Sequence, residues 1–567
     1  MRPEYAARPF QRLFGLLRTD RRDILYLYLF ALLRGLIMLS LPLGIQAIIN
    51  LIGGGQVATS WGVLIGVVTL GIFFTGVLQV LELGLSEHLK QRIFARSALE
   101  FAYRLPRVRN GALQGRYLPE LTNRFFDTLT VQKGLNKVLI DVPVSSMQIL
   151  IGLILLSFYH PFFIGFALFL LLLLYVIFRN TGQNGLRTSL EESKYKYATA
   201  HWLDELGRSN STFKLAGTTT LPLEKADTLA SGYITARRAH FRVLLGHYWA
   251  MVGFKTVVTL ALLLLGGMLV ITERMNLGQF VAAEIIIILL LNSVEKVVLG
   301  LESIYDVLTA LEKLGEVTDL PLEKQDGQST PRSSDEGGPM AVELRGLGFR
   351  SHWSGSMILK GVDLIIAPGE KVCISGPDGS GKSILLEIVA GMVDPDEGSV
   401  LIDGEGLRSL CPKQLRSAMG DSFSQEDLFM GTVLDNIIMG RPWITEANAR
   451  EAAIRTGLLV MLSDLPDGLL TKLDPHGSRL PRSLIKRIIV ARCIAGRPRL
   501  VLFEDDSLPI AAREQKTLLD LLTGSDAPFT LIAISNDPNF RSHCTRLLRI
   551  EDGRLVEETG NQPTPMN

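Results

Sequence analysis

Six runs of apolar residues, near 24–50, 61–84, 139–159, 161–179, 248–271 and 278–299, dominate the first three hundred positions. A bilayer core takes about 20 helical residues to cross, and each run is that long or nearly so. In hydrocarbon every backbone N–H and C=O must be bonded within its own segment, so such runs are confined to helices. Helices buried in a soluble core would each keep some polar face. The stretch Phe166–Tyr175 has none. The overall mean hydropathy of +0.27 and the 47% hydrophobic content therefore average a membrane half with an ordinary globular half.

Basic residues orient the spans. The segments 86–137 and 180–245 hold ten and nine Lys and Arg, whereas the remaining connections hold only Arg274. Basic loops stay on the cytoplasmic side, which places both termini and the two long loops inside, as for a bacterial inner membrane protein. Each long loop reads as a helix out, a turn and a helix back, an arm of roughly 35 Å at 1.5 Å per residue. The arm tips, Gly115–Asn123 and Trp202–Gly217, are candidate contact points for a cytosolic domain. Ionisable groups inside spans are rare: Arg34, Lys255, Glu284 and Glu295. Glu284 and Glu295 fall about 20° apart on one helix face. They read either as a polar strip lining a cavity or as structural partners of Arg34 and Lys255.

Five regions follow: a basic cytoplasmic segment 1–22, a transmembrane domain 23–320, a flexible Pro/Gly/Ser-rich linker 321–340, a globular domain 341–560 and a tail 561–567. The globular domain alternates short β runs with helical stretches, the pattern of an α/β fold. At its centre stand Gly376, Pro377, Asp378, Gly379, Ser380, Gly381, Lys382 and Ser383, between a buried-strand pattern and a helix pattern. A glycine loop in that position turns backbone N–H groups inward and adds the positive end of a helix dipole. Lys382 then reaches the outer phosphates of a nucleotide, and the Ser383 hydroxyl holds Mg²⁺. Net charge is +1, which gives no case for nucleic acid. The four cysteines (Cys373, Cys411, Cys493, Cys544) lack metal-like spacing and read as free thiols.

Several further stretches carry a resemblance: 385–404 after the loop, Asp427–Ile437, Leu465–Gly468 and Glu551–Glu557. With six spans, two arms and a phosphate loop, the chain resembles an ABC exporter half-transporter over nearly its full length, most like the type I secretion and peptide-export branch. The fold class implied is multidomain: an all-α six-helix transmembrane domain followed by an α/β P-loop NTPase domain of the ABC type. The resemblance implies ATP and Mg²⁺ as cofactors. It also implies a homodimer, or a heterodimer with a second ABC half-transporter, and leaves room for a periplasmic adaptor protein. The cargo implied is a peptide, protein or amphipathic molecule leaving the cytoplasm.

The same comparison exposes departures. Leu480-Pro-Arg-Ser-Leu484 stands where the family has Leu-Ser-Gly-Gly-Gln; Arg482 reads either as a substitute point charge or as a solvated surface residue. Glu504-Asp505 reverses the family's Asp-Glu order, so Glu504 takes the metal-ordering position and Asp505 that of the base polarising water. A carboxylate moved by about 1 Å can lower a rate ~10²-fold. Asn536 replaces the switch histidine. The resemblance makes Gln425 the glutamine of the Mg²⁺-sensing loop, displaced by one from the family spacing after Gly420, and Ser351 replaces the adenine-stacking tyrosine, with Trp353 or His352 as stand-ins. The implied protein binds Mg·ATP with weakened hydrolysis; the other reading is a non-hydrolytic ATP-gated scaffold, channel or regulatory subunit.

Overall fold

The structure, a computed structural model, describes residues 4–53, 59–113, 117–158, 161–330, 332–351, 354–422, 428–463, 465–477, 479–505 and 512–558. The chain divides into two compact units: unit 1 comprises Met1–Arg107 with Gly115–Leu320, and unit 2 comprises Val108–Gln114 with Pro321–Asn567.

Unit 1 is helical. After α1 (Glu4–Arg18) come α2 (Arg21–Gly53), α3 (Thr59–Arg104), α4 (Asp127–Asn136), a π-helical turn at Lys137–Asp141 and α5 (Val142–Ser157). Three long helices follow: α6 (Phe162–Arg208), α7 (Leu221–Ile271) and α8 (Leu277–Thr318). The arms are thus continuous with the spans. At 51 residues, α7 is far longer than the ~20 that a bilayer needs. Among the described residues five helical stretches are long and apolar enough to cross a membrane: Arg21–Ile52, Thr59–Arg107, Leu118–Ser157, Leu221–Ile271 and Leu277–Thr318. The expected fourth span is represented by a shorter apolar stretch, Phe162–Val176, which is the first part of the unbroken α6.

Local chemistry sets the helix ends. Asn276 caps α8 through its side chain, accepting from the Gln279 N–H at 2.8 Å, while Gln279 accepts from the Asn276 N–H at 3.0 Å. Such a reciprocal cap satisfies two otherwise orphaned donors. Along α8 the small residue Ala283 and the larger Ile286, Ile287 and Leu290 are buried in one cluster with Ile149, Leu153, Phe254 and Val258. Gly152 permits that contact, since a Cβ there would lie 2.7 Å from Leu290 Cδ2. By contrast, the most apolar window of α3 has nothing buried, and Phe73, Phe74 and Val80 stand exposed. An apolar exterior of that extent, on a helix long enough to cross a bilayer, suits lipid.

Arg34 pairs with Glu82 at 3.0 Å, not with either acid of α8. Lys255 takes Glu295 at 2.5 Å. Of the two sequence alternatives, structural pairing is therefore realised for Glu295.

Among the described residues unit 2 holds two large sheets and a small antiparallel pair, Gly431–Thr432 with Lys472–Leu473. The first has β2 (Met357–Ile366) beside β1 (Val342–Arg350), then β4 (Glu397–Ile402) and the short edge Glu405–Gly406. The second is six-stranded. Its members are β3 (Lys371–Ser375), β5 (Met419–Asp421), β6 (Leu500–Glu504), β7 (Thr530–Ile534), β8 (Arg546–Glu551) and β9 (Arg554–Glu557), ordered β9-β8-β3-β7-β6-β5. Strand β3 is buried at every position and pairs in parallel with both β7 and β8. All four cysteines are free thiols.

The segment read as a loose linker is instead laid against unit 2. Glu323 receives both guanidinium arms of Arg416 at 2.8 and 2.9 Å, and Gln328 exchanges backbone bonds with Ser409 and Cys411 at 2.8 and 3.1 Å. Farther along, Asp335 pairs with Arg497 at 2.7 Å. Composition favoured a coil, but fixed partners on the domain surface supply the bonds that water would otherwise make.

Lys371 opens β3 with its ammonium buried, donating to the carbonyls of Ala527 (3.1 Å) and Phe529. Burial lowers its pKa from 10.5 to about 8. Above pH ~8 the folded chain sheds a proton that the unfolded chain retains up to about 10.5, so this group makes stability rise with pH across that window. Chemical unfolding of unit 2 in the detergent-solubilised chain is expected to shift to higher denaturant between pH 8 and 10, and Lys371→Met to flatten that rise.

Candidate nucleotide-binding site

The loop Gly376–Gly381 leaves β3 and enters α9 (Lys382–Val389). Two glycines are obligatory. Gly376 has φ 147°, and a Cβ there would meet the Ile550 carbonyl at 2.8 Å. Gly381, at φ 100°, caps α9 in the left-handed region, and a Cβ would press on Ile358 at 2.6 Å. The first amides of α9 have no intrahelical acceptor, as at any helix start, and point with the dipole toward the loop. Lys382 is buried and donates to the Gly376 and Pro377 carbonyls at 2.8 Å each. Its charge is thus held at the loop by weak carbonyl acceptors that an incoming anion would outcompete. Among the described residues the buried Ser380 hydroxyl has no partner.

The ends of neighbouring parallel strands complete the site. Ser383 Oγ donates to Glu504 Oε1 at 2.7 Å. Asn536, just past β7, accepts from the Gly376 N–H at 3.3 Å. These oxygen donors suit Mg²⁺: hydroxyl and carboxylate are the hard ligands that the ion prefers. The orphaned Ser380 hydroxyl and the glycine cradle likewise suit a phosphate.

Asp505 is held differently. Its carboxylate takes Lys486 Nζ at 3.1 Å and the Ser535 hydroxyl at 2.9 Å, while its own N–H reaches the Ile534 carbonyl at 2.8 Å. Lys486 lies on α10 (Arg482–Ile494) with only 5% of its surface exposed. Both residues are therefore committed to a nearly dry ion pair.

Sequence reasoning missed Lys486. The available signal was a lone lysine inside the apolar face Leu484–Ile494. It also passed over Glu387, one helical turn beyond Ser383, whose carboxyl is pushed above the usual range by burial and then by the charge of Glu504. Pro481 stands at the cap of α10, with Arg482 exposed beside it. Gln425, Trp353 and His352 lie outside the described residues.

Residues 359–506 match the family model described as ABC transporter. The chain carries an ABC transporter domain behind its long helices. Its fold is that of the exporters: a bacterial Atm1-family ABC exporter with ATP bound superimposes with a TM-score of 0.79 and 18% identity, covering 95% of this chain and 94% of that one. Among curated relatives, the alpha-hemolysin translocation ATP-binding protein HlyB of Escherichia coli O157:H7 is 25% identical over 334 residues, which is 59% of this chain and 46% of HlyB. The mycobactin import ATP-binding/permease protein IrtB of Mycolicibacterium thermoresistibile is 29% identical over 209 residues, or 37% of this chain and 36% of IrtB. The chain thus spans about half the length, or less, of these curated relatives. Unit 2 carries an ABC ATP-binding domain, and the apolar helices of unit 1 make the chain a multi-pass membrane protein.

Removing one member of a buried ion pair typically destabilises by about 3–5 kcal/mol, because it strands the other charge. Lys486→Met is therefore expected to lower the unfolding midpoint of the ATP-binding domain markedly. Adding Asp505→Asn should recover most of that loss, read by thermal unfolding of the two variants side by side.

Proposed function

We propose that this chain is one half of a dimeric ABC exporter that binds Mg·ATP at Gly376–Ser383 and hydrolyses it slowly or not at all. The observation that carries this reading is the Lys486–Asp505 pair beside an intact loop. A general base must be free to accept a proton from water. Asp505 is instead neutralised by an ammonium at 3.1 Å and further occupied by Ser535. Asn536 contributes a hydrogen-bonding amide where an imidazole would add a titratable group.

Within the site, Lys382 would leave the loop carbonyls for the outer phosphates. The first amides of α9 would hold the phosphate chain. Ser383 and Glu504 would hold Mg²⁺, with Gln425 as a further ligand and Trp353 against the base. Bound Mg²⁺ would supply charge neutralisation between the outer phosphates. Leu480–Leu484 would face the partner's nucleotide in a head-to-tail dimer, with Pro481 offering no N–H and Arg482 offering a side chain. Binding energy alone would then close the dimer. The partner would be a second copy or another ABC half-transporter, and a periplasmic adaptor would extend the path. We place the chain in a bacterial inner membrane with both termini cytoplasmic, and its cargo among peptides, proteins and amphipathic molecules. The HlyB likeness supports the polypeptide branch of that set.

The same ion pair also favours a second reading, a gate or scaffold that responds to ATP occupancy without turnover. Vesicle accumulation of cargo separates the two: strict dependence on hydrolysable nucleotide supports the pump, and equal effect of a non-hydrolysable analogue supports the gate.

Purified protein is expected to bind Mg·ATP with feeble turnover, and Lys382→Ala to weaken binding roughly ten- to hundredfold, as for loss of a charged hydrogen bond. Titration with a fluorescent nucleotide and a phosphate-release assay check both. Turnover of several per second by this chain alone, abolished in Lys382→Ala, would refute weak hydrolysis.

A further inference from the structure

We propose that unit 1 carries a binding site for an amphipathic anion, with its charged group taken between Lys137 and Lys296. This rests on the reading of unit 1 as a translocating half. A cavity of about 490 Å³ opens among α2, the π turn, α5 and α8. That volume falls within the range of small-molecule sites. Its chemistry is sharply divided. Met38, Leu289, Leu290 and Leu299 give it an apolar wall. Lys137, Asp141, Glu295 and Lys296 give it charge.

The charges do not cancel. Glu295 is already paired with Lys255 at 2.5 Å, and Lys255 does not line the cavity. That leaves two ammonium groups against the single carboxylate of Asp141. Among the described residues neither Lys137 nor Lys296 forms an ion pair, and both side chains are exposed. Lys137 precedes the apolar run 139–159 and Lys296 closes the run 278–299, so both ammonium groups stand at span ends, where water and a counter-charge can reach them.

The neutral polar groups are spoken for in part. Ser293 donates to Gln148 Oε1 at 3.1 Å, and the Gln148 amide reaches the Met38 sulfur at 3.7 Å, which fixes the wall. Asn292, exposed one turn before Lys296, remains as an additional donor. The π-helical turn Lys137–Asp141 brings two of the charged residues to the cavity, and such turns recur where a helix is bent to a function. A carboxylate or phosphate on an apolar body matches this division. Such a molecule would come either from the cargo or from a membrane lipid headgroup, since lysines near span ends also reach headgroups.

The test uses the full chain in nanodiscs of phosphatidylcholine, titrated with a fluorescent dodecanoate and with its neutral amide. Wild type is expected to bind the carboxylate about tenfold or more tightly than the amide, the size of one charge-assisted contact. Lys137→Gln and Lys296→Gln should each reduce that preference, and the double variant should abolish it, with amide binding unchanged. Equal affinity for both probes in wild type, or an undiminished preference in the double variant, overturns the proposal. Nanodiscs containing phosphatidylglycerol separate the sources: displacement of the probe assigns the anion to a lipid headgroup, and its retention to cargo. Mg·ATP binding, measured on every variant, verifies folding. If the probe binds selectively yet never accumulates in vesicles under any nucleotide, the exporter reading fails while the site stands. If accumulation occurs without selectivity, only the site fails.

Discussion

Strand β3 is bonded along both edges, to β7 and β8, and buried at each of its positions. Its end is therefore fixed in space, and the loop that follows inherits that rigidity. Gly376 must pass the Ile550 carbonyl, and Gly381 must pass Ile358. The other groups of the site arrive at the same rim because β6 and β7 run parallel to β3 and stop there, delivering Glu504, Asp505 and Asn536. Ligands of open α/β sheets bind outside the carboxyl ends of the strands for this reason.

Pairing separates the structural charges from those left for ligands. Lys486 and Asp505 satisfy one another in a site with little water, as do Arg34 and Glu82. Breaking such pairs is unfavourable, so they define the fold more than they offer chemistry. Lys382 instead rests on neutral carbonyls, and among the described residues Lys137 and Lys296 face a cavity without ion partners. A cation poised on weak acceptors is ready to exchange them for an anion. The two units thus use one rule in different solvents.

Much was legible in the residue order. The phosphate loop was readable because its glycines, lysine and serine occupy contiguous positions whose spacing is the geometry. The long helices were readable because lipid tolerates only one backbone arrangement for a single span. Illegible features were those requiring a partner distant in sequence. Lys486 lies nineteen positions from Asp505, and neither residue's surroundings announce the other. Arg34 chose Glu82 on the neighbouring helix over the acids of α8. The segment 321–340 looked like coil by composition, yet Arg416 and Arg497 hold it down.

Residue order by itself therefore determined which segments are apolar enough to enter lipid, and where a glycine loop stands between a buried strand and a helix. Those properties are local: they follow from hydropathy, from φ-permissive glycines and from contiguous donors. Tertiary structure alone decided which charges are spent on one another and which remain open, because ion pairing depends on distance through space and on the exclusion of water, and neither is written along the chain.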